Sequence, residues 1–200
     1  MIMNAVLVVV FLAVALVLAR EGLWSGLVMF LNLLVATTAA TAWYPVVANL
    51  VDGYLPSFTY LLDFLAWWGL FAVILLVMRE VTDRMSRTKV KFVKQVELVG
   101  GPLVGILAGW LMVCFTAASL HTAAVPRDLV QPTPEATMFF GLAPDRKWLA
   151  WVRHATWKGP FGRPGTDAAG VFDKDARFIL GYADRRAALE RVEGLRVNRE

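Results

Sequence analysis

Four long apolar runs divide the first 120 residues, at 2–19, 23–47, 58–78 and 98–120. The first, "IMNAVLVVVFLAVALVLA", is broken only by Asn4 and, at ~1.5 Å per residue, reaches roughly 27 Å as a helix. That nearly spans a hydrocarbon core of ~30 Å, and the other three runs are longer. A cleaved signal peptide is the rival reading of the first run. It would want a positive leading segment, and only the terminal amino group precedes the apolar residues. The pattern predicts an all-α membrane protein with four transmembrane helices (residues 1–121) and a short, partly helical extramembrane tail (122–200).

Polar residues inside the runs are few enough to name. The second run holds Asn32 and the set Thr37, Thr38 and Thr41 before Pro45. Threonine hydroxyls can return a hydrogen bond to a carbonyl one turn back, so they cost little in a spanning helix. Trp24 and Trp43–Tyr44 stand near its ends, where amphipathic rings suit headgroup level. Only Arg20, Glu21 and Gly22 separate runs one and two, which predicts a tight antiparallel hairpin turned on Arg20, Gly22 and Gly26. Asp-Gly and Pro punctuate the 48–57 connection, and Ser57 is available to cap the third helix. Asp63, less than two turns into that helix, is the one carboxylate inside a run. With Asn32 it forms the candidate intramembrane polar site. The alternative for Asp63 is interface anchoring, or a hydrogen bond to Asn32 or a threonine.

Charge orients these spans. The 79–97 connection carries Arg79, Arg84, Arg87, Lys89, Lys91 and Lys94, whereas 48–57 carries no cation. Cytoplasmic loops collect cations, so 79–97 is expected inside, Arg20 inside and both termini outside. Val90, Phe92 and Val93 alternate with those lysines, so the loop could also lie on an anionic leaflet. The tail's 13 Lys/Arg pull mildly the other way.

Composition agrees with the pattern. The chain is 58% hydrophobic and 18% charged, against roughly 45–50% and about 25% for soluble domains. A net charge of +4 does not imply nucleic acid, because the cations lie in one membrane-flanking loop and one mixed-sign tail. The single cysteine, Cys114, lies in an apolar run and excludes an internal disulfide.

Gly101, Gly105 and Gly109 recur every four residues in the fourth run, beside Gly100 and Ala108. Small residues at that spacing make a groove into which another helix packs closely. The partner is either a span of the same chain, or a second copy in a homo-oligomer or pore. In the tail, "VPRDLVQPTPEA" reads as a Pro-rich linker. "APDRKWLAWVRHATWKG" then reads as a helix with Trp148, Trp151, Val152 and Ala155 on one face. It suits either the outer interface or docking onto the spans. Residues 159–170 read as loop, and a last helix, with Asp173 and Asp175 near its start, is interrupted by Gly181. His121 and His154 are the only histidines, and no nucleophile elbow, phosphate loop or metal-spaced cluster occurs. No enzymatic activity, metal or cofactor is therefore expected.

The hairpin "AREGLWSGLV" (19–28) and the glycine-rich "LVGGPLVGILAGWLMV" (98–113) resemble the colicin V production protein family over about residues 1–121. Two departures stand out: Glu21 between Arg20 and Gly22, and Val96–Glu97 where the family usually has Asp-Arg. The resemblance implies a four-span bacterial inner-membrane protein tied to colicin V production or export and to envelope homeostasis. Some relatives carry a trypsin-like protease after the fourth span, for which this tail is too short. The expected function is a non-enzymatic accessory or scaffold, with the lipid bilayer and an unidentified envelope protein as partners. The alternative is a small oligomeric channel or transporter using Asp63 and the glycine face.

Overall fold

The computed structural model describes residues 2–54, 59–86, 90, 92–123, 125, 130–131, 133–157, 159–163 and 170–190. The described residues form helices α1 (Ile2–Arg20), α2 (Leu23–Asp52), α3 (Thr59–Met85), α4 (Lys94–Ser119), α5 (Pro144–Thr156) and α6 (Phe178–Glu190). The first four are long and apolar enough to cross a membrane, which makes this a multi-pass membrane protein.

Three of these helices outrun their apolar segments. α2, expected over 23–47, continues to Asp52 with Pro45 inside it. The missing N–H of Pro45 frees the Thr41 carbonyl, a loss that spanning helices tolerate when packed neighbours surround the site. α3 continues two turns past Met78, where Glu80–Arg84 (2.6 Å) and Arg79–Asp83 (3.7 Å) pair at i,i+4. α4 begins at Lys94, about one turn before its apolar run. Ser57, Arg87, Lys89 and Lys91 lie outside the described residues.

The expected hairpin turn is present, but the tight pairing of its arms is not. Gly22 takes φ +84° between α1 and α2, a value that favours glycine. Beyond the turn α1 runs along α4, touching α2 little, while α2 packs along α3 and also meets α4. The physical reason is the glycine ladder. A methyl group at Gly105 would sit 2.5 Å from the Ala15 carbonyl oxygen, and one at Gly109 would sit 2.9 Å from that of Phe11. Gly101 faces the Ala19 carbonyl in the same way, at 3.3 Å. The α1 backbone therefore fills the groove itself, at Gly105 and Gly109 so closely that any larger residue would force the helices to shift.

The core joins the spans to the tail. Trp67, Phe115, Tyr44, Trp148, Val152 and Phe172 are all buried in one cluster. Trp67 stacks on Tyr44 with ring centroids 4.4 Å apart and meets Phe115 edge-on at 6.0 Å. Tyr44 is thus a core residue, 3% exposed, and not part of a headgroup belt.

Candidate functional site

The bundle has two polar ends. At the hairpin end, Trp24 Nε1 donates to Ser86 Oγ (2.9 Å) and Asn32 Nδ2 to Thr82 Oγ1 (2.9 Å), tying α2 to α3. Gly26 lies beside Val104 of α4, and Arg20 is exposed at the turn. Asn32 is buried, so its bond to Thr82 spares an amide the cost of entering the bundle unpaired.

The tail end is more elaborate, because the tail folds back onto it as a cap. Asp63 does not bond Asn32 or a threonine, as the sequence reading allowed. Asn32 sits at the other end, and the partners of Asp63 come from α6. Tyr182 Oη donates to Asp63 Oδ2 at 2.8 Å, and Arg185 forms an ion pair with the same oxygen. Tyr44 and Tyr182 hydroxyls are 3.1 Å apart. Since the Tyr182 proton goes to Asp63, Tyr44 is the donor of that pair. α6 also runs unbroken through Gly181, which was expected to interrupt it. Burial, with the Asp63 carboxylate adding to it, holds the Tyr182 phenol well above its ordinary range, so it stays protonated as a donor.

A second lock lies beneath α5. His121, just past α4, donates from Nε2 to Asp145 Oδ2 at 3.0 Å, both side chains being almost wholly buried. Arg186 then reaches the carbonyl oxygens of Leu120 (2.8 Å), His121 (2.7 Å) and Ala123 (3.1 Å). A cation at that place satisfies carbonyls the helix end leaves open and suits the negative pole of α4. His121, Gln131, Tyr182 and Arg186 line a small cavity between the two locks.

The third attachment uses the threonines of α2. Trp148 Nε1 donates to Thr41 Oγ1 (3.1 Å) and Trp151 Nε1 to Thr38 Oγ1 (3.2 Å). Thr37 and Thr41 return their own protons to the carbonyls of Leu33 (2.6 Å) and Thr37 (2.7 Å). α5 therefore docks on the spans, with Leu149 and Thr156 joining Trp148 and Val152 on its buried face. Val130 and Gln131 of the expected linker are buried too. Asp173 receives the N–H groups of Arg177 (2.8 Å) and Phe178 (3.0 Å) at the start of α6, while Asp175 stays exposed.

The structure does not bring Asp63 and the glycine face together. The glycines face α1, whereas Asp63 on α3 faces α6. Sequence reasoning missed Tyr44, Tyr182, Arg185 and Arg186. A lone carboxylate in a span does demand a cation, but nothing in the sequence singles out Arg185 among the tail's 13. Among the described residues, no group of three or more His, Cys, Asp or Glu side chains is placed to hold a metal ion.

The sequence profile described as colicin V production protein matches residues 3–149, which reaches past the four spans into α5. Neither the curated proteins nor the solved structures yield a match. Four spanning helices, the hairpin glycine and the α4 ladder fall within the matched residues, and the chain belongs to the colicin V production protein family.

Proposed function

We propose that this membrane protein is a non-enzymatic accessory in export or envelope homeostasis. It acts as a scaffold in the bacterial inner membrane with both termini and the cap outside. The observation that carries this reading is how the polar groups at the tail end are used. Asp63, His121, Asp145, Thr38, Thr41 and Arg186 all spend hydrogen bonds on fixing tail to bundle. Such an arrangement presents a rigid outer surface to a partner, and it spends the intramembrane carboxylate on a structural ion pair. The channel reading has less support, since its two elements face different neighbours.

Complementation tests this reading. In a strain lacking the protein, Asp63→Ala and Arg185→Ala should insert at normal abundance yet restore envelope resistance poorly, because the cap is released. Full complementation by both variants would remove the scaffold role of the docked cap. Solute flux in liposomes that depends on Asp63 would favour the channel instead.

A further inference from the structure

Because α1 keeps to α4, a wedge remains at the hairpin end between α1 and the α2–α3 pair. It is a cleft of about 580 Å³, within the ~300–1,000 Å³ of small-molecule sites. Its lining is graded. The less exposed part of the lining is mixed, with Leu18, Val28 and Met29 supplying an apolar strip beside the polar groups of Asn32 and Thr82, Ser25 and the Trp24–Ser86 pair. Arg20, Glu21, Arg79 and Asp83 form a charged rim. These rim residues sit where the apolar runs of α1 and α3 give out, which is headgroup level.

We propose that this cleft binds one ethanolamine phospholipid, headgroup at the rim and acyl chain along the apolar strip. A wholly polar solute would leave the Leu18–Val28–Met29 strip facing it without gain, whereas an amphiphile matches both strip and rim. The rim chooses the headgroup. Two guanidinium groups suit a phosphate, which they can bind through two parallel hydrogen bonds. Among the described residues Arg20 has no ion-pair or hydrogen-bond partner, and Arg79 meets Asp83 only at 3.7 Å with both side chains over 60% exposed. Two carboxylates on the same rim oppose a purely anionic headgroup. They complement a primary ammonium, which donates three hydrogen bonds where a quaternary one donates none.

The test is native mass spectrometry of the delipidated full chain in detergent, titrated separately with phosphatidylethanolamine, phosphatidylglycerol and phosphatidylcholine. One phosphatidylethanolamine adduct should persist at about tenfold lower lipid than either of the others, as expected for one or two charge-assisted hydrogen bonds. Arg20→Gln with Arg79→Gln should abolish that preference, and Glu21→Gln with Asp83→Asn should turn it toward phosphatidylglycerol. Lys94→Gln, a cation of α4 that does not line the cleft, should leave it intact. Equal adducts for all three lipids overturn the proposal, as does a preference unchanged in both double variants. Soluble glycerophosphoethanolamine binding as tightly as the lipid would also overturn it, since the acyl half would then contribute nothing.

Discussion

Gly105 shows what one hydrogen atom in place of a side chain does for this bundle. A methyl group there would overlap the Ala15 carbonyl oxygen at 2.5 Å, and that oxygen belongs to a helix backbone that cannot rotate away. At Gly100 the obstacle is the tip of the Leu23 side chain, 2.8 Å off, which can turn. Gly69 has nothing within 4 Å. Thermal unfolding in detergent should therefore rank the alanine variants. Gly105→Ala and Gly109→Ala should lose about 1–3 kcal/mol from overpacking, and Gly100→Ala less. Gly69→Ala should be neutral or gain up to about 1 kcal/mol from helix propensity. Tyr182 gives a second prediction at this scale. Its phenol is harder to ionise folded than unfolded, so the folded state holds its proton longer, and its contribution is complete below about pH 10 and lost as pH rises beyond. Proteolysis of the tail should accelerate in that alkaline range, and Tyr182→Phe should already be loosened at neutral pH, with a flatter rise.

α5 is the element whose role the sequence left open, and the threonines of α2 decide it. Trp148 is 3% exposed, meets Phe115 edge-on with centroids 6.1 Å apart and donates to Thr41. Trp148→Phe retains most of the ring packing and removes the donor, so it should cost about 1 kcal/mol. Thr41→Val should cost a similar amount, and the double variant should cost less than the sum, a coupling that unfolding of all four proteins measures. The turn leading into α5 is strained, with Phe139, Phe140 and Ala143 at φ of 51°, 56° and 46°. It is held against the spans by Phe139 meeting Trp110 at 6.2 Å. The four spans were legible because lipid demands long apolar runs, and the glycine spacing was legible because small residues alone permit backbone contact. Helix ends were less so, since α2 passes through Pro45 and α3 continues on charged i,i+4 pairs that carry no apolar signal. The cap was legible only in part: docking was one of two readings of the tryptophan face of α5, but the groups it docks on were not. Thr38 and Thr41 bond Trp151 and Trp148 more than 100 positions away, and a pairing of that range leaves no periodic trace.

For the whole molecule, the arrangement of charge and cap forms one argument about direction. The family match ends at residue 149, inside α5, so it includes His121 and Asp145 but not Tyr182, Arg185 or Arg186. The lock on Asp63 therefore comes from the part of the chain beyond the matched residues. All of these groups lie at the tail end, opposite the hairpin end with Arg20, Arg79, Arg84 and Lys94. Cations near span ends hold a loop in the cytoplasm, whereas a long tail crosses largely regardless of its charge. The 79–97 connection should thus be cytoplasmic, and the tail's 13 cations should not reverse it. Alkaline phosphatase fused after residue 200 should be active, and a fluorescent protein inserted between 79 and 97 should fluoresce. A fluorescent C-terminal fusion would put the cap and the Asp63 lock in the cytoplasm, and the partner of the scaffold would then have to be sought there.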